Sequence, residues 1–230
     1  MNILALDTCT EFCSAALLYK GEIIERVENT QRGHSELILG MMDQLFKEAG
    51  TSISAIDAIA FGRGPGSFTG VRVCVGVTQG VAFARDIPVI PVSSLAAVAQ
   101  GASDRFDSSH IAVAMDARMG EIYCASYHRE DGFVNIVNEE RVCPPEQFKP
   151  ENDQPWIGAG TGWGEYETLL REQFSDNLTQ VVIDCYPRAR DIIKLAQFEA
   201  ECGRMISAEK ALPVYLRNNV AKKKGQQKNA

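Results

Sequence analysis

Two stretches of this chain follow the same plan, and that repetition limits the fold more than any other feature. "ILALDT" (3–8) is an apolar strand ending on Asp7, followed by the apolar "CSAALLY", a turn at "KGE" and the alternating "IIERVENT". "IAVAMD" (111–116) is an apolar strand ending on Asp116, followed by a strand in "EIYCASY", a turn at "EDG" and a third strand, "FVNIV". In the first copy a helix over 35–49, a buried strand in "AIDAIAFG", a helix over 69–84 and the strand "IPVIPVSS" complete the unit. In the second they are answered by "WIGAG", a helix over 163–173, "VVIDCY" and a helix over 187–203. The order β-β-β-α-β-α-β predicts a mixed sheet with helices on its faces. The polar stretch "QGASDRFDSS" (100–109) reads as the boundary, giving domains 1–100 and 101–230, and 230 residues suffice for two such cores.

A duplicated α/β domain with two aspartates facing a common cleft is the layout of the actin, hexokinase and Hsp70 superfamily. The expected fold is therefore a two-domain, duplicated actin-like ATPase fold with mixed sheets flanked by helices. Asp7 and Asp116 are then candidates to hold Mg²⁺, or simply turn formers at strand ends.

"AFGRGPGSFTG" (60–70) places four glycines and a proline between a strand and a helix. It has no Gly-Lys-Ser/Thr to close a Walker A loop, and Ser67 stands where a dinucleotide fingerprint needs its third glycine. Two readings remain. Backbone amides at a helix start bind anions, which makes Gly64, Gly66, Ser67 and Thr69 a candidate anion or nucleotide loop, with Ser67 or Thr69 as the N-cap. Alternatively the glycines serve a tight strand-to-helix turn. "IGAGTGWG" (157–164) is a second glycine-rich turn without the fingerprint spacing.

The helix after the loop carries Gly76 and Gly80 four residues apart on one face, beside Thr69, Val73 and Ala84. Each internal glycine costs about 1 kcal/mol against alanine, so it needs a steric reason: close approach by another helix, or close packing on the chain's own sheet. The preceding helix, "SELILGMMDQLFKEAG", is apolar over more than the stripe one sheet requires. Leu37, Met41, Met42 and Leu45, with Val73, Gly76 and Gly80, are therefore expected to form a protein-binding surface, and adjacent methionines suit an adaptable contact.

Several classes are disfavoured. The three histidines, His34, His110 and His128, show no metal-ligand spacing, and no nucleophile has a sequence-evident base, so neither a catalytic residue nor a metal ligand is assigned. His34 reads as a surface or capping residue. Seven scattered cysteines without CxxC pairs suggest reduced thiols in a cytoplasmic protein. No apolar run approaches the roughly 20 residues of a membrane span, and the opening "MNILALD" reads as a strand rather than a leader. The net charge is −7. Setting aside the five basic residues from Arg217 onward leaves 18 basic against 30 acidic residues, or −12. So acidic a body is poorly suited to bind phosphate backbone directly. The basic tail from about residue 219 reads as solvated and disordered.

Together "ILALDTCTEFCSAAL", "GRGPGSFTGVRVCVG", "SSLAAVA", "DARMGEIY" and "PVYLRN" resemble the TsaB (YeaZ) family over residues 1 to about 218. The resemblance implies the actin-like fold and a role in making N6-threonylcarbamoyladenosine beside the anticodon of tRNAs that read ANN codons. It implies a non-catalytic subunit that binds the catalytic relative TsaD and is joined by the ATPase TsaE. TsaD holds a metal with an HxxxH helix, and the corresponding stretch here, "SSLAAVAQGASDRFDSSH", lacks that motif. No cofactor of its own is expected, with ADP or ATP at a composite interface left open, tRNA contacted only indirectly, and a homodimer when the chain is alone. The competing reading is a stand-alone ATPase or sugar-kinase-like enzyme using Asp7, Asp116 and the glycine turns.

Overall fold

A computed structural model describes residues 1–30 and 33–217; the expectation for the tail from 219 lies outside the described residues. The first lobe runs β1 (Ile3–Asp7), β2 (Phe12–Tyr19), β3 (Glu22–Asn29), α1 (His34–Glu48), β4 (Ala58–Gly62), α2 (Phe68–Arg85), β5 (Val89–Val92) and α3 (Ser94–Phe106). The second runs β6 (His110–Asp116), β7 (Ile122–Glu130), β8 (Phe133–Ile136), β9 (Arg141–Cys143), β10 (Trp156–Ala159), α4 (Thr161–Glu165), α5 (Glu167–Phe174), β11 (Leu178–Val182) and α6 (Ala189–Glu201).

The two sheets repeat one another. The first has the order β3-β2-β1-β4-β5, the second β8-β7-β6-β10-β11. In each, the three leading strands pair antiparallel and the two that follow add parallel. Both leading hairpins turn on two residues of positive φ, Lys20–Gly21 and Asp131–Gly132, the backbone that matches strand twist. The duplication read from the sequence is thus a duplication of topology.

Three apolar layers hold the lobes. Ile38, Met41, Met42 and Leu45 of α1, with Val71, Cys74 and Val75 of α2, pack on the outer face of the first sheet. Trp163, Leu170 and Phe174 of α4 and α5 close the outer face of the second. Between the sheets lie α3 and α6, each crossing to the other lobe: α3 packs on β6, β7 and β8, and α6 on β1, β2 and β4. Ser14 Oγ accepts from the Ala189 amide at 3.0 Å, and Glu25 accepts from the Arg190 amide at 3.1 Å and pairs with Arg188.

Three sequence expectations are corrected. The stretch 100–109, expected as a polar boundary, is helical through Phe106, where α3 ends, and only residues 107–109 link it to β6. Its small buried residues (Ala97, Ala99, Ala102, Ser103) made a helix wedged between two sheets look like a polar linker. The helix expected over 163–173 is two helices that break at Tyr166. The short edge strand β9, which pairs with β7 beyond β8, was not anticipated.

Candidate functional site

The glycine loop is built against the β1–β2 connection. An ideal Cβ on Gly66 would lie 2.2 Å from the Cys9 carbonyl oxygen, and one on Gly70 2.0 Å from that of Thr8. The Ser67 amide donates to Cys9 O at 2.7 Å, and Thr8 Oγ1 donates to Gly70 O at 2.7 Å. Of the two candidate caps Ser67 is the N-cap, accepting from the Gly70 amide at 3.4 Å. Gly64 alone of these glycines has a left-handed φ, 93°. Glycine is thus needed mainly for close approach. The amides of Ser67 and Gly70, which an anion at this helix start would use, are already paired within the chain. Of the expected cradle at Gly64, Gly66, Ser67 and Thr69, the Ser67 amide is therefore committed to the chain itself, while Gly66 and Ser67 line the cleft.

The two aspartates part company. Asp7 is fully buried beneath this loop, and its Oδ2 has no hydrogen-bond partner. Oδ1 accepts from the Cys9 amide at 3.0 Å. Burial pushes its pKa up to about 7, against the pull of that hydrogen bond. Asp7 therefore does not face the cleft, which corrects the symmetric picture. Asp116 does line the cleft, an opening of about 860 Å³ between the lobes, opposite Ser67, Thr10 and His34. Its Oδ1 accepts from the Arg118 amide at 2.8 Å, and its Oδ2 pairs with the Arg118 guanidinium at 3.0 Å. Asp116 thereby braces a turn in which Arg118, Met119 and Gly120 all have positive φ. Arg217 donates to Arg118 O at 3.2 Å and pairs with Glu121 on the same turn.

The segment leading to Arg217 crosses the cleft. Gln79 donates to Ala211 O and the Val214 amide to Arg63 O, each at 2.8 Å, before Arg217 reaches the second lobe. "PVYLRN" is thus a strap over the glycine loop, a role that periodicity could not signal in so short a stretch.

His34 Nε2 lies 3.0 Å from Thr10 O, a structural contact. His110 and His128, far apart in sequence, face each other across β6 and β7 with ring centroids 5.0 Å apart. Among the described residues no group of three or more His, Cys, Asp or Glu is placed to hold a metal ion.

The expected protein-binding surface changes in composition. Met41, Met42 and Leu45 are buried against the first sheet, and Leu37 is half-buried. The apolar width of α1 arises because it packs on β2 and also against α2, and its exposed large apolar residue is Leu39. On α2, by contrast, Gly76 and Gly80 face outward: a Cβ at either would meet nothing within 4 Å. That excludes packing on the chain's own sheet. Val73 is half-buried beside them, Phe83 is 77% exposed, and a groove of about 500 Å³ runs along Gly76, Gly80 and Phe83 to Ala208. Among the described residues no helix is long and apolar enough to cross a membrane.

A duplicated 3-2-1-4-5 sheet with crossed helices and a cleft between the lobes defines a protein of the actin-like ATPase class. A family model described as TsaD: tRNA N6-adenosine threonylcarbamoyltransferase matches residues 22–225. The tRNA threonylcarbamoyladenosine biosynthesis protein TsaB of Haemophilus influenzae is 43% identical over 97% of this chain and 97% of its own. Its Escherichia coli counterpart is 42% identical over 97% and 98%. The solved structure of YeaZ from Pseudomonas aeruginosa superimposes with a TM-score of 0.88 at 44% identity, covering 94% of this chain and 99% of that one. The chain belongs to the TsaB (YeaZ) family.

Proposed function

We propose that this chain takes part in tRNA threonylcarbamoyladenosine biosynthesis as a subunit without chemistry of its own, binding a TsaD-type catalytic subunit through the exposed face of α2. The observation that carries the surface is the outward stripe of Gly76 and Gly80 beside Phe83. Two internal glycines that touch nothing in the monomer weaken a helix by about 1 kcal/mol each, and close approach by a second chain supplies the reason to keep them. The packing of the glycine loop onto Thr8 and Cys9, and the burial of Asp7, support the non-catalytic part of the reading. A nucleotide, ADP or ATP, would bind at the cleft only with groups added by a partner. A TsaE-type ATPase completes the assembly, tRNA is held chiefly by the other subunits, and the setting is the cytoplasm. Alone, the chain pairs with itself through the same face, because a two-fold contact buries one patch twice.

The test mixes the purified chain with a TsaD-type subunit and measures complex mass by light scattering, with nucleotide turnover assayed for each component. A stoichiometric complex and no turnover by this chain alone are expected. Nucleotide-dependent turnover by the isolated chain would return the reading to a kinase-like enzyme.

A further inference from the structure

Two sulfurs face each other at the edge of the second sheet. β9 pairs with β7 in the register Ile122↔Cys143 and Cys124↔Arg141, so strand alternation places Cys124, Arg141 and Cys143 on one face. The Sγ atoms of Cys124 and Cys143 are 3.5 Å apart, in the apolar layer that also holds Ile122 and Phe148. The Arg141 guanidinium lies beside both sulfurs. Its Nε is buried without a hydrogen-bond partner, and its terminal nitrogen donates to Gln147 O at 3.2 Å. A buried guanidinium nitrogen left unpaired is unfavourable, and a thiolate is the anion within its reach.

The two thiols are unequal. The hydrogen bond from Cys124, and then the Arg141 charge, draw Cys143 down to about 7 against the effect of burial. The same hydrogen bond, with burial, pushes Cys124 up. One sulfur is ready to ionise while its neighbour keeps a proton. Cys9 and Cys74 are also neighbours, but that contact, with burial, pushes Cys9 well above the usual thiol range. Cys9 and Cys74 donate to the carbonyls of Gly62 and Leu6 at 3.3 Å, and Cys13 is pushed up to about 12 by burial.

We propose that Cys124 and Cys143 form a reversible dithiol–disulfide pair oxidised by hydroperoxides. The Cys143 thiolate attacks one peroxide oxygen; an S–O bond forms, the O–O bond breaks, and the departing oxygen takes a proton to leave as water or alcohol. The Cys124 sulfur then attacks the Cys143 sulfur as its proton passes to the sulfenic oxygen. An S–S bond forms, the S–O bond breaks, and water leaves. The two sulfurs together lose two electrons, which the peroxide gains; a dithiol reverses the change by exchange. Closing 3.5 Å to the roughly 2.05 Å of a disulfide requires a small shift, and β9, three residues long on a sheet edge, is the element suited to give it. Cys143 is 5% exposed, so reaction proceeds through local opening of that edge. The residue before β9 gives the chemistry a structural reach. Glu140 accepts from Tyr127 OH at 3.3 Å and pairs with Arg63 of the first lobe at 3.1 Å, so the disulfide would staple the strand beside a lobe-to-lobe ion pair.

The full-length reduced protein is treated with hydrogen peroxide, alkylated under denaturing conditions and mapped by mass spectrometry. A peptide pair joined through Cys124 and Cys143, lighter by two hydrogens and restored by dithiothreitol, is expected from folded protein. Arg141→Gln should slow its formation tenfold or more and raise the pH midpoint of Cys143 alkylation above 7. Should that variant not fold, the wild-type map and its alkylation profile decide alone. Absence of the joined pair, its appearance only after unfolding, or Cys143 driven to sulfinic acid without Cys124 would overturn the proposal.

Discussion

An ideal Cβ on Gly62 would sit 1.8 Å from Oδ2 of Asp7 and 3.1 Å from the Cys9 sulfur. The end of β4 and the end of β1 therefore share a space that fits a carboxyl or a methyl group, not both. Gly62→Ala is expected to lower stability by about 3 kcal/mol, as overpacking a rigid site does. In Asp7→Ala the same substitution should be much milder, a coupling of at least about 1 kcal/mol. Urea unfolding of the four proteins in the cycle measures it, and additive losses would place the strain elsewhere.

Asp7 also makes stability depend on pH. Its folded pKa, about 7, lies above the unfolded value near 4 because burial penalises the charge. The folded state then holds an extra proton between pH 4 and 7, so stability falls as pH rises through that window and levels off above it. The loss is at most about 4 kcal/mol at 1.36 kcal/mol per pKa unit. Asp191, pushed up to about 7 by burial and then by Glu25, adds a loss of the same sign. Asp7→Asn should flatten the slope in part, and Asp7→Asn with Asp191→Asn more fully, in unfolding midpoints measured from pH 4 to 8.

The succession of strands along the chain, and the mixed character of the sheets, were legible because most strands announce themselves locally: apolar runs ending on Asp7 and Asp116, and turns at Lys20–Gly21 and Asp131–Gly132. What was not legible depends on which surfaces meet. Asp7 reads like Asp116 in sequence, and only the loop folded over it, with Gly62, Gly66 and Gly70 stripped of side chains, buries one and leaves the other in the cleft. Met41 and Leu45 looked surplus to one sheet because nothing local says that α2 covers the flank of α1. The start of α3 did carry a signal, since Ser93 caps it by accepting from the amides of Leu95 and Ala96. Its further course, alanine-rich and wedged between two sheets, lacks the contrast that marks an amphipathic helix.

Asp116 should matter to its own turn and not to assembly. Its carboxylate holds the Arg118 amide and guanidinium, so Asp116→Ala is expected to cost about 1–2 kcal/mol, the scale of a lost capping contact. Binding to a TsaD-type subunit should change less than threefold, because the exposed stripe of α2 does not include it. Calorimetric titration with fold checked by circular dichroism tests both parts, and loss of the complex in a folded variant would move the interface to the cleft.

Nucleotide binding by the chain alone should be weak. The amides of Ser67 and Gly70 are paired internally and Asp7 is sealed off, so the cleft offers little to a polyphosphate beyond side chains such as Arg118. A dissociation constant for ATP or ADP no tighter than about 100 μM is expected, or about −5.5 kcal/mol. Low-micromolar affinity in calorimetry without a partner would show that the cleft is a nucleotide site in its own right.

The sharpest test of the α2 surface is steric. Gly80 is exposed, and a Cβ added there meets nothing within 4 Å, so a larger side chain has room to start out from the helix toward the open groove. Leaving glycine in a helix interior should itself favour folding by up to about 1 kcal/mol. Gly80→Trp is therefore expected to keep the monomer folded with an unchanged or slightly raised unfolding midpoint. The ring would stand in the groove beside Phe83 and Ala208, where a second helix must approach closely if this face is the contact. Self-association and binding to a TsaD-type subunit should then both fall at least a hundredfold, about 2.7 kcal/mol. Gly76→Ala, which adds one methyl to the same stripe, should weaken both by a smaller factor. Light scattering across a concentration series reads the outcome: a folded Gly80→Trp protein that still dimerises and still binds its partner would place the interface on another face of the molecule.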